Sequence, residues 1–188
     1  MTLRLVRALC APFTAGCAGM MALLASSGCS PALNWREVKL AEPGLVSMFP
    51  CRPVAQTREL VLAGHALAPR LHACEADGST YAVMAMDVRD PAAVNPVLQA
   101  LRDASLAKLG SPESESVVHA GWQVAGMTPQ AAAGRWTWTH AVAGERPLRM
   151  VTALFARGAW VVQASVIGPA SRQDQISEPF FEGLRFAP

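Results

Sequence analysis

At 188 residues the chain has room for one ordinary domain with a single core, and not for two comfortable ones. Charged residues make up only 16% of it, and its 14 Gly and 14 Pro are scattered along its length, which excludes a disordered or collagen-like chain. The formal charge of +2 comes from Arg4 and Arg7; the remaining 14 basic side chains match the 14 acidic ones, so the rest of the chain is neutral and lacks the basic footprint of a nucleic-acid binder.

The first segment, "MTLRLVR", is short and basic, and "ALCAPFTAGCAGMMALLA" follows with no charge at all. A basic start, an apolar stretch and small residues before a cut site form the pattern of a secretory signal over residues 1–28. The competing reading is an uncleaved inner-membrane anchor, because the uncharged run approaches the roughly 20 residues that cross a bilayer; Pro12, Gly16 and Gly19 weigh against it. At the junction, "ASSGC" resembles the lipobox of bacterial lipoproteins. Gly28 and Ser27 fit that motif, whereas Ser26 stands where Leu is preferred. The rival "FTAGC" ending at Cys17 is followed by a second apolar block, so Cys29 is the better candidate. The resemblance implies a diacylglycerol on Cys29, an anchor in the lipid bilayer and, with Ser30 rather than Asp next, an outer-membrane lipoprotein facing the periplasm. Residues 29–36 would then be the lipidated start and a tether, and residues 37–188 one globular domain.

Within that domain, "WREVKLAEPGLVSMFP" reads as two strands broken at "EPG". "QTRELVL" and "ALAPRLHACEA" follow, separated by "AGH". After the turn "DGST", "YAVMAMDV" alternates, with Tyr81, Val83 and Ala85 on one side and Ala82, Met84, Met86 and Val88 on the other. Asp90 and Pro91 end this meander and begin a helix, "PAAVNPVLQALRDASLAKLG", in which Val94, Val97, Leu98, Leu101 and Leu109 form one apolar stripe, Pro96 lies in the first turn and Gly110 terminates. "SPESES" is a polar loop and "VVHAGWQVAGMTPQ" two short strands. "AAAGRWTWTHAVAGERPLRMVTALFARGAWVVQASVIGP" gives three strands with turns at "AGERP" and "ARGA". The closing "SRQDQISEPFFEGLRF" is a helix broken at Pro179 or begun at Ser177, burying Ile176, Phe180, Phe181 and Leu184.

Strands, a long helix, more strands and a terminal helix define an α+β fold, an antiparallel sheet of strand meanders packed by a central long helix and a C-terminal helix. The "MFP" that ends an early strand, the helix after the meander, and "ALFARGAWVVQASVIGP" leading into "FFEGLRF" resemble the PsbP-like fold over about residues 37–186. That resemblance implies an α/β/α sandwich. The fold is shared by a photosystem II extrinsic subunit, a Ran-binding nuclear transport factor and many bacterial envelope proteins of unassigned role, so it implies no single activity.

Residues with chemistry are sparse. His65, His72, His119 and His140 form neither HExxH nor a close pair, and His72 with Cys51 and Cys74 lacks the second ligand pair of a zinc site, so no metal or cofactor is expected. Met84 and Met86 have the soft sulfur that Cu(I) prefers, yet at period two in an apolar strand they read as core packing. Trp136 and Trp138 share a strand face, and with Trp160 on a neighbouring strand they form a candidate ligand face. There is no nucleophile elbow, P-loop or dinucleotide glycine pattern.

Of five cysteines, Cys10 and Cys17 leave with a cleaved leader and Cys29 takes lipid, so Cys51 and Cys74 remain and are expected to pair in an oxidising compartment. The sum is a lipid-anchored envelope protein with a non-enzymatic binding or assembly role toward another envelope protein. A hydrolase with a non-contiguous site and a carrier of a small apolar ligand on the tryptophan face are the alternatives.

Overall fold

The computed structural model describes residues 33–108, 115–140, 146–171 and 173–188. The leader, Cys10, Cys17 and Cys29, the helix-ending Leu109 and Gly110, most of the "SPESES" loop and part of the "AGERP" turn lie outside the described residues.

The fold is mixed α+β, with antiparallel sheets and two helices among the described residues. In chain order the strands are β1 (Arg36–Leu40), β2 (Leu45–Phe49), β3 (Val54–Thr57), β4 (Leu60–Leu62), β5 (His65–Leu67), β6 (Arg70–Ala76) and β7 (Ser79–Asp87). A 3-10 turn, Pro91–Ala93, leads into helix α1 (Val94–Lys108). Strands β8 (Glu115–Val118), β9 (Gly134–His140), β10 (Leu148–Arg157) and β11 (Trp160–Pro169), helix α2 (Gln173–Glu182) and strand β12 (Arg185–Phe186) complete it.

The main sheet has seven strands in the order β3-β6-β7-β11-β10-β9-β8. The chain leaves the sheet at β7, crosses one face through α1, and returns as the meander β8 to β11, which closes against β7. Helix length suits that crossing. Fifteen residues of α1 span about 22 Å at 1.5 Å per residue, comparable to the breadth of four strands at roughly 4.8 Å spacing. Asp90 caps the start, its carboxylate accepting the Ala92 N–H at 2.9 Å.

Period-two alternation sorts the sheet into two cores. On one face Met86, Val88, Trp136, Trp138, Met150 and Leu154 pack beneath Val94, Val97, Leu98 and Leu101 of α1. On the other, Tyr81, Val83, Ala85, Ala153, Phe155, Val162 and Val166 meet Phe180 and Phe181 of α2 and Leu45 and Phe49 of a second sheet, ordered β1-β2-β12. The alternation expected along "YAVMAMDV" is thus the alternation found.

Trp35 stacks edge-on against Tyr81 at 6.0 Å, and β1 begins at Arg36. Two expectations need correction. Helix α2 runs unbroken through Pro179, which removes one backbone donor at an exposed position, while Ile176, Phe180 and Phe181 bury the opposite side. After β8 no second strand forms. The segment from His119 to Ala133 builds no strand of its own, and its bridges to the sheets, Ala125 to Arg185 and Thr128 to Ala156, are isolated, because Gly121 and Gly126 adopt φ of 71° and 81° and Pro129 donates nothing to a ladder.

Two cross-links join separate elements of the fold. Cys51, just beyond β2, is disulfide-bonded to Cys74 in β6, with a Cα–Cα distance of 6.0 Å. Arg135, 5% exposed, holds Glu178 of α2 through two hydrogen bonds of 3.0 and 2.5 Å and lies 4.3 Å from the Phe181 ring centroid.

Candidate functional site

The tryptophan face does not exist as one surface. Trp136 and Trp138 are 6% and 1% exposed, stacked at 6.2 Å and closed over by α1. Trp160 packs with the opposite core. Strand register explains the separation, since Thr152 of β10 pairs with both Trp136 and Ser165, which puts residue 165, and not 160, on the face of Trp136. A carrier site between the three rings is therefore excluded, and the buried pair serves the core.

Trp160 instead faces a groove of about 740 Å³. Its far wall is an arm formed by β4 and β5, whose two-residue turn Ala63–Gly64 has both φ angles positive, 48° and 80°. The β3–β6 ladder ends at Thr57 and Arg70, and the arm then bends across the end of the sheet so that Leu60, Leu62 and Leu67 join the core under α1. Its other side, with Val61 at 70% exposure, fronts the groove. The floor is Ala85, Val88 and Trp160. Sharing Trp160 and Glu42, a smaller hollow of about 440 Å³ runs on toward Arg157 and Pro188.

Charge rings this groove. Glu42 reaches it from the β1–β2 turn, Glu59 and His65 from the arm, Arg70 from the start of β6, and Asp87 and Arg89 from the end of β7. Asp87 stands opposite Trp160 in the register, and Arg70 stands opposite Ala85, so Arg70, Asp87 and Trp160 share one face of the sheet. The Asp87 carboxylate accepts the Arg89 backbone N–H at 2.8 Å. None of Glu42, Glu59, Arg70 and Arg89 forms a side-chain ion pair or hydrogen bond with another described residue.

Arg89 is held in the left-handed region, φ 60°, which costs an L-residue about 1–2 kcal/mol. Arg89→Gly should therefore stabilise the domain by roughly 0.5–1 kcal/mol once the greater freedom of the unfolded glycine is counted. Urea denaturation checks this; an unchanged or lowered midpoint would remove the case for strain at the rim.

Elsewhere the candidate residues separate. His119 Nε2 bonds Thr137 Oγ1 at 2.8 Å. Met86 is buried beneath α1, with Met84 packed beside it. Among the described residues no three His, Cys, Asp or Glu side chains are placed to hold a metal ion. His72 shares a strand face with Cys74, and its Nε2 is buried with no hydrogen-bond partner among the described residues. Burial, and then the nearby Arg70 charge, lower its pKa from 6.5. The unfolded chain takes up a proton near 6.5 that the folded one refuses, so stability should fall as pH drops through that value and level off below the folded pKa. His72→Gln should flatten the slope in urea midpoints measured across this range.

The sequence reading missed the groove, for which Glu42, Glu59, Arg70, Asp87 and Arg89 come from four separate segments. The available signals were the charged strand exit "DVRDP" and the Pro69 between the arm and β6. Comparison with family models, with curated proteins and with solved structures finds no match to this chain.

Proposed function

We propose that this chain is a lipid-anchored lipoprotein of the bacterial cell envelope, facing the periplasm from the outer membrane, whose PsbP-like α/β/α domain is a binding module and not an enzyme. The observation that carries the binding role is the groove itself: an aromatic floor with unpaired charges of both signs around it, the composition of a recognition site. Envelope address rests on the leader pattern of residues 1–28 and on the lipobox-like "ASSGC". One acyl chain holds a protein marginally and two or more hold it stably, which suits a diacylglycerol on Cys29. No described helix is long and apolar enough to cross a membrane.

The groove also lies at the opposite end of the domain from where the described chain begins. Asn34 donates its backbone N–H to Pro50, and Trp35 packs on Tyr81, whereas Asp87 lies six residues further along β7, about 20 Å at 3.4 Å per residue.

In detergent phase separation the exported protein should enter the detergent phase and Cys29→Ser should move it to the aqueous phase. Membrane-extracted protein that retains an intact leader would replace lipidation with an inner-membrane anchor. For the binding role, a photo-crosslinker at Val61 in cells should capture an envelope component, and Asp87→Asn with Arg70→Gln should abolish capture. Equal capture from the exposed Leu148, on the far side of the sheet, would refute a groove-based role.

A further inference from the structure

We infer that the groove beside Trp160 recognises a short peptide through its free ends, with the ammonium held by Asp87, Glu42 and Trp160 and the carboxylate by Arg70. This rests on the binding-module reading above and names its ligand class.

Charge complementarity decides the class. Three carboxylates and two guanidiniums line one hollow, and four of these five side chains make no ion pair or hydrogen bond with a described residue. A ligand of one sign would meet like charge wherever it sat, and a neutral sugar would leave both signs uncompensated as it displaced water. A zwitterion answers both. Asp87 and Trp160 are direct cross-strand partners at the end of β7 and β11, and Arg70 lies on the next strand, opposite Ala85 and so diagonal to Asp87. Diagonal neighbours in a sheet lie about 7–8 Å apart at the backbone, so the long Arg70 side chain can hold one end of a short peptide while Asp87 holds the other.

Each end has a chemical reason for its place. A cation over an indole face gains from the ring quadrupole. Asp87 already spends one carboxylate oxygen on the Arg89 N–H, which fixes its plane and leaves the other oxygen for an ammonium N–H. A guanidinium group matches a carboxylate in a planar fork, which suits Arg70 for the other terminus. Between them, Val61 and Ala66 of the arm give apolar surface to a first side chain such as Leu.

The test is titration of the full-length protein in detergent, by calorimetry, with leucyl-alanine, its N-acetyl form, its C-terminal amide, and a disaccharide of N-acetylglucosamine. The free dipeptide should bind, and blocking either end should weaken it about tenfold, the loss of one charge-assisted hydrogen-bonded contact. Asp87→Asn keeps the acceptor for the Arg89 N–H, so it should fold; it should weaken the free dipeptide about tenfold and leave the N-acetyl form unaffected. Arg70→Gln should do the same with respect to the amide. Equal binding of blocked and free peptides, no binding of any peptide, or preference for the disaccharide would overturn the assignment. Crosslinking from Val61 that is still abolished by the groove variants would then leave the binding module standing with a different ligand.

Discussion

Phe180→Ala should cost about 3–5 kcal/mol, the range for emptying a fully buried aromatic site. Phe180 is 0% exposed and meets Phe49, Tyr81 and Phe181 edge-on, with ring centroids at 5.4, 5.6 and 5.2 Å. Those three rings belong to the small sheet, the main sheet and α2 itself, so one truncation loosens the joint between three elements. Partial collapse of such a cavity is resisted, because Tyr81 lies on a central strand and Phe49 just ahead of a disulfide. Equilibrium urea unfolding measures the cost. Leu106→Ala, at a position 36% exposed on α1, serves as the control and should change stability by less than about 0.5 kcal/mol. A Phe180→Ala cost below about 1 kcal/mol would mean that α2 contributes little to the core.

The terminal helix and its buried residues were readable in the sequence because apolar side chains at helical spacing have few alternatives. Ile176, Phe180, Phe181 and Leu184 are all buried, and the Val94, Val97, Leu98 and Leu101 stripe of α1 is likewise buried. Both results come from local periodicity. Pro179 was misjudged for the same local reason: its helix penalty is intrinsic, whereas the packing of Phe180 and Phe181 that offsets it is tertiary.

Relations between strands were harder to read, and Trp160 shows why. A strand fixes its own two faces, but which face matches which on the next strand depends on the turn between them. Arg157 pairs with Trp160 across the tight Gly158–Ala159 turn, so even-numbered residues of β10 oppose odd-numbered residues of β11. Reading "ARGA" only as a turn, without its register, left Trp160 free to be placed with Trp136 and Trp138. The groove was less accessible still. It depends on the bend of the β4–β5 arm and on Glu42 arriving from another sheet, and neither leaves a periodic trace. Strand β12, two residues long, is defined by its pairing with Val46 and Leu45 and not by any pattern of its own.

Removing the disulfide should have the other large effect. Cys51 and Cys74 are 23 residues apart in sequence, and a loop of that size constrains the unfolded chain by about 3 kcal/mol in the chain-entropy account. Position adds a mechanical reason to the entropic one. Cys51 lies two residues past Phe49, where β2 of the small sheet ends, and Cys74 faces the core from β6, near the edge of the main sheet. The covalent bond therefore joins the two sheets where β3, β4 and β5 make a long excursion between them. Cys51→Ala/Cys74→Ala should unfold about 3 kcal/mol more easily than the oxidised protein, and the reduced wild type should match the double variant. Because the groove lies at the opposite end of β6 and β7, that loss should appear in urea midpoints and leave dipeptide affinity unchanged under conditions where both proteins are folded. Two thiols that alkylate in the native exported protein would show that the bridge does not form in the cell. A double variant as stable as wild type would show that the sheets are held by their apolar contacts alone.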